Sequence, residues 1–172
     1  MEKFLKLIDS KKIQWLIGLC FALFMLVVLP LVAWISRQNG LTQTPDTSLL
    51  YSSAQFSEWM VAYGEGGRRL YLILRWTFDL VYPLVYGLFF YMLLYKLKLH
   101  IRYQWVIVSA VAFDYFENLA ASINVLIFPA INQSMIYLMQ IFSTIKWVAL
   151  ILVFIIIIYN AIRKWINHEK AR

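Results

Sequence analysis

Four long apolar runs decide what this chain can fold into. A helix needs about 20 predominantly apolar residues to cross a bilayer, and four stretches meet that length, at about 13–35, 70–95, 103–128 and 135–162. The first contains no charged residue. It is too long for a signal-peptide core, and no small-residue cleavage site follows it. Helix is the form these runs must take, because hydrocarbon offers no partner for open backbone. They are also several times longer than a barrel strand and lack period-two alternation. The reading is an all-α membrane protein: one transmembrane domain over 1–172, folded as a four-transmembrane-helix bundle with a short amphipathic helix in the outer loop, 36–69.

Composition agrees. The chain is 62% hydrophobic and 15% charged, against about 45–50% and about 25% in globular domains. Its single cysteine, Cys20, excludes an internal disulfide and a CxxC site. The net charge of +7 does not indicate a nucleic-acid partner, because the basic residues flank the apolar blocks instead of forming a patch among aromatics. Eleven lysines and arginines lie in the N-terminal segment, the link after the second run and the C-terminal tail. Only three, Arg37, Arg68 and Arg69, lie on the other side. That asymmetry predicts a multi-pass protein of the cell membrane with both termini in the cytoplasm. Trp15, Trp34, Trp105 and Trp165 stand near run ends, where indoles anchor at headgroups. The isoleucine-rich run Phe154–Tyr159 reads as lipid-facing surface.

In the outer loop, 38–48 has the turn chemistry of irregular chain. Ser52 followed by Gln55 resembles a capping box that opens a short helix, and Gly64 would end it. Phe56, Trp59, Met60 and Tyr63 give that helix one apolar face, to lie on the membrane or to roof the bundle. Next come Gly64-Glu65-Gly66-Gly67-Arg68-Arg69, where two arginines beside glycine-rich backbone could hold a phosphate or carboxylate. Membrane-edge arginines on a flexible turn explain the same pattern without a ligand.

Five ionisable residues sit well inside the runs: Arg75, Asp79, Asp114, Glu117 and Lys146. Each costs about 2.5–3.5 kcal/mol at mid-membrane, so such residues face the interior, pair, and mark function. At the 1.5 Å helical rise, Asp79 lies roughly 13 Å below its outer end, Glu117 and Lys146 roughly 16 Å, and Asp114 roughly 21 Å. Three helices thus place opposite charges in one layer. Arg75, Asp79, Tyr82 and Tyr86 fall on one stripe of the second run, and Asp114, Glu117 and Asn118 on one face of the third. Lys146 shares its side of the fourth with Met139, Ser143 and Leu150. Pro83 frees the carbonyl of Asp79, a common route to a cavity or ion ligand. Three acids against two bases leave the layer at −1, so an acid holds a proton or a cation offsets it.

These residues suit a lipid or lipophilic small molecule, bound and, as an extension, converted by proton transfer. On that reading Asp79, Asp114, Glu117 and Lys146 carry the chemistry. Arg75, Tyr82, Tyr86 and Asn118 bind the ligand beside them, as do Arg68 and Arg69 at the outer edge. No metal site is indicated and a cofactor is left open; the partners are membrane lipids and the lipophilic ligand, with a homo-oligomer open. Proton- or cation-coupled transport is the alternative, and a structural or regulatory partner whose ion pairs only set packing is the third. Hydrolysis fits poorly: no GxSxG occurs, and His100 and His168 sit at run edges.

The segments Tyr51-Ser52, Gly64-Glu65-Gly66-Gly67-Arg68, Asp79-Leu80-Val81-Tyr82-Pro83, Asp114-Tyr115-Phe116-Glu117-Asn118 and Lys146-Trp147 together resemble a group of small bacterial four-span membrane proteins. That resemblance covers nearly the whole chain, implies a bacterial inner membrane, and brings no activity with it. A second similarity is architectural, to the sterol-isomerase-like EXPERA membrane proteins, which also set buried acids around a lipophilic ligand in four spans. The histidine–glutamate pattern of the isomerase members is missing here.

Overall fold

A computed structural model describes residues 8–42, 44–45, 48 and 50–169. It is an all-helical bundle of four helices, each long and apolar enough to span a membrane: α1 (Lys11–Gln38), α2 (Ser53–Lys96), α3 (Ile101–Leu126) and α4 (Gln133–Glu169). Short links join α2 to α3 and α3 to α4, so these neighbours run antiparallel. The basic residues Lys3 and Lys6, and Lys170 and Arg172 of the tail, lie outside the described residues.

The outer helix and the second span form one helical element, bent at Gly64, whose φ of 61° and ψ of −175° lie outside the helical region. Glycine reaches such angles without steric cost. Ser52 caps the outer segment with both bonds of a capping box, the Gln55 amide to its hydroxyl at 3.1 Å and its own amide to the Gln55 side chain at 2.9 Å. The second span then starts immediately after Gly64, one turn earlier than hydropathy suggests, with Glu65 to Arg69 already helical. The outer segment roofs the bundle. Phe56 and Met60 are fully buried, packed with Tyr63, Tyr71, Ile136 and Met139.

The tight part of the bundle is α2–α3–α4. Small residues on α3, Ala110, Ala120 and Ala121, are buried where the helices meet, as membrane helices require for close backbone approach. Gly87 plays that part on α2: a Cβ there would meet the Val111 Cγ2 at 2.7 Å. Two apolar clusters fill the core, one under the roof and one toward the opposite end, around Tyr86, Leu94, Ile107 and Val153.

α1 is attached differently. Among the described residues, none of α1's is buried. It touches α2 through aromatic contacts, with Phe21 stacked on Phe89 at 4.0 Å and Phe24 on Tyr82 at 6.2 Å. A π-helical turn, Phe24–Val28, interrupts it just before Pro30. The cause is local: proline has no N–H for the carbonyl four residues back and its ring crowds that position. The wider turn absorbs the defect, with the Leu29 amide reaching back to the Phe24 carbonyl. The predicted lipid-facing run on α4 is largely exposed at Phe154, Ile155, Ile158 and Tyr159, while Ile156 and Ile157 pack on the lower cluster.

Candidate functional site

Helical spacing places the charged residues of α3 and α4 face to face. Asp114 and Glu117 are one turn apart on the buried side of α3, and Lys146 of α4 reaches both. Its Nζ lies 2.5 Å from Glu117 Oε2 and 3.5 Å from Asp114 Oδ1. Glu117 is 1% exposed, and Asp114 and Lys146 are each 8% exposed. From α2 the Tyr86 hydroxyl donates to the second oxygen of Asp114 at 2.9 Å. Asp114 therefore joins three helices: its own, α4 through a cation, and α2 through a phenol. With all three groups ionised the triad carries −1.

A second polar knot lies beside it. Arg75 on α2 is 1% exposed, and its guanidinium donates to the Asn118 side-chain oxygen and to the Tyr71 hydroxyl. Asn118 uses its amide nitrogen to donate to the Asp79 carbonyl at 3.1 Å. That carbonyl is the one Pro83 deprives of its helical partner. The chain thus supplies a replacement donor from α3, where sequence suggested a loose ligand. Tyr115 adds a bond from its hydroxyl to the next carbonyl, Leu80, at 2.8 Å. On the same side Trp76 donates to Ser122 at 3.0 Å, and Ser122 to the Asn118 carbonyl at 2.8 Å.

Two cavities meet at Asp114 and Lys146. One, of about 450 Å³, opens from the roofed end and is lined by Ser36, Arg37, Thr42, Asp79, Tyr82 and Lys146 among others. The other, of about 320 Å³, runs between α1 and α4 and is lined mainly by apolar groups: Phe21, Met25, Phe90, Leu150 and Phe154. Tyr82, Asp114, Lys146 and Trp147 belong to both linings. A molecule lying there would meet a cation, a carboxylate and a phenol at its centre, a mixed wall with Arg37, Thr42 and Asp79 on one side and an apolar wall on the other.

The structure brings together Asp114, Glu117, Lys146 and Tyr86 as one contact group, and Arg75 and Asn118 as its neighbour. Asp79 and Tyr82 are half-buried and line the outer cavity. Arg68 and Arg69 are elsewhere. Arg68 donates to the Met60 carbonyl at 2.8 Å and lies over the Phe128 ring, tying the roof to the α3 end, and Arg69 is exposed. Sequence reasoning did not single out Tyr115, Trp76 or Ser122 as parts of this network. Tyr115 lies between Asp114 and Glu117, a position that turns its ring off the acidic face and gives no sign of its carbonyl partner. Comparisons with protein-family models, curated proteins and solved structures return no match.

Proposed function

We propose that this integral membrane protein binds an amphipathic, lipophilic molecule inside its bundle, with the polar end of the ligand at Asp114 and Lys146. The observation that carries the reading is the meeting, at those two side chains, of a cavity of mixed polar and apolar lining with an almost wholly apolar one. Concave, mostly apolar sites with a few convergent polar groups are the usual form of small-molecule sites. Lys146 would neutralise an anionic or carbonyl oxygen. Tyr86 and Asp114, hydrogen-bonded to each other, form a proton-holding pair that suits acid–base chemistry on such an oxygen. Below Tyr86 the core closes with Leu94, Ile107, Ala110 and Val153, an apolar plug that favours a binding site over a polar path through the bundle.

The test fills the apolar cavity and leaves the charges alone. Native mass spectrometry of protein purified in mild detergent should detect a retained small molecule in the wild type. Leu150→Trp, on the cavity wall, should lose it with the melting temperature held within a few degrees. Equal retention in both, or no retained species in either, would overturn the reading.

A further inference from the structure

The opposite end of the molecule, where α2 turns into α3, carries a further cavity that the central site does not use. It measures about 670 Å³ and is lined by Asp9, Gln14, Tyr95, Lys96, Lys98 and Gln104, among others. Gln104 is the informative residue. It is 7% exposed and its side-chain Oε1 is buried without a hydrogen-bond partner. A buried acceptor left unmatched costs free energy, so native structures almost always match it, if not with protein then with water or a bound ligand. Tyr95, by contrast, is committed: its hydroxyl donates to Asp9 at 3.2 Å.

Lys98 is a second anomaly at the same place. It ends α2 at a φ of 56°, in the left-handed region. The Leu99 amide bonds the Leu94 carbonyl at 3.3 Å and the Lys98 amide the Tyr95 carbonyl at 2.9 Å, the two bonds of a Schellman stop. Glycine normally fills this position because it alone has no side chain to crowd. A lysine there points to use of its ammonium, since observed strain of this kind collects at ligand sites.

A third observation says what sort of ligand. Gln14 and Lys96 also line a neighbouring groove of about 640 Å³ between α1 and α2, walled by Trp15, Gly18, Leu19, Ala22 and Met92. Gly18 and Ala22 keep it open, and a Cβ added at Gly18 would meet nothing within 4 Å. A polar, lysine-edged cavity joined to an apolar groove along a spanning helix has the outline of a head and a tail. Lys11, Lys96 and Lys98 against Asp9 leave the head region net positive.

We infer that this end of the bundle holds an anionic glycerophospholipid with a hydroxyl on its headgroup. The phosphodiester lies at Lys96 and Lys98, the hydroxyl donates to Gln104, and an acyl chain lies along the Gly18–Ala22 groove. Ammonium–phosphate contacts supply the strength and the glutamine oxygen the selectivity.

The test measures binding of dioctanoyl phosphatidylglycerol to the full-length protein in detergent, beside phosphatidylmethanol of the same chain length and free glycerol 3-phosphate. Wild type should prefer phosphatidylglycerol to phosphatidylmethanol, and Gln104→Met should erase that preference. Lys98→Gly removes the backbone strain and Gly18→Leu adds helix propensity, so both should melt no lower than wild type. Each should nevertheless bind the lipid about tenfold more weakly. Unchanged affinity in Lys98→Gly and Gly18→Leu would overturn the proposal. So would glycerol 3-phosphate binding as tightly as the lipid, because the apolar groove would then contribute nothing. The Leu150→Trp variant of the central site should leave this binding intact, so the two sites fail or stand separately.

Discussion

Replacing Lys146 by methionine removes the ammonium that lies 2.5 Å from Glu117 and 3.5 Å from Asp114. Two unit charges 4 Å apart attract by about 4 kcal/mol at an effective dielectric of 20. Removing one partner of a buried pair costs about 3–5 kcal/mol, because the other charge stays buried without compensation. Lys146→Met should therefore lower unfolding stability in mixed micelles by about 3–5 kcal/mol. Glu117→Gln should cost less, since Lys146 keeps Asp114. Asp114→Asn should cost least of the three, because the amide oxygen still accepts from Tyr86 and Lys146 keeps its nearer partner. The decisive variant is the double change Lys146→Met with Glu117→Gln, which removes both members of the closest pair and should recover most of the loss. Denaturation curves for the four variants give the coupling directly. If Lys146→Met alone stays within about 1 kcal/mol of wild type, against the cost of a broken buried pair, the triad does not hold the helices. A double variant no more stable than the single one refutes the argument in the same way.

Asn118→Leu should cost about 2–3 kcal/mol by leaving the Asp79 carbonyl and the Arg75 guanidinium short of a partner. In a Pro83→Ala background, where the helix regains an N–H for that carbonyl, the same change should cost about 1 kcal/mol less; equal costs in the two backgrounds would show that Asn118 is not the stitch. Gly87→Ala should destabilise by about 1–3 kcal/mol through overpacking on Val111, read by the same denaturation assay, and Val111→Ala should relieve it. Ser52→Ala should cost about 1 kcal/mol of helix-cap energy, visible as faster amide exchange at the start of α2 with the core of α3 unchanged.

Much of this was legible in the sequence because hydrocarbon leaves few options. Charge-free length defines spans, and a charge inside a span must find an opposite charge at its own depth. Counting residues placed Glu117 and Lys146 level with each other, and they are in contact. Gly64 was readable as the end of the outer helix, but not the immediate restart after it: Glu65-Gly66-Gly67 looks like a turn, yet it is helical and continuous with the span that follows. Hydrogen bonds to backbone escaped for another reason. Neither Asn118 to the Asp79 carbonyl nor Tyr115 to the Leu80 carbonyl has a partner that a residue type announces. The π turn in α1 follows from Pro30, yet sequence does not reveal whether a helix answers a proline by kinking or by widening.

The division of charge among the helices bears on how such a chain enters a bilayer. α1 carries no Asp, Glu, Lys, Arg or His from Ile13 to Ile35 and none of the site's charges, so it can integrate alone as it is synthesised. α3 cannot. Asp114 and Glu117 together would impose about 5–7 kcal/mol on a lone α3 at mid-membrane, and Lys146, the ammonium that pairs with both, arrives only with α4. The link between α3 and α4 is a few residues long. The two are therefore best inserted as one hairpin, with Lys146 already against Glu117, and slowing synthesis between Leu126 and Lys146 should stall integration where slowing it within α1 does not.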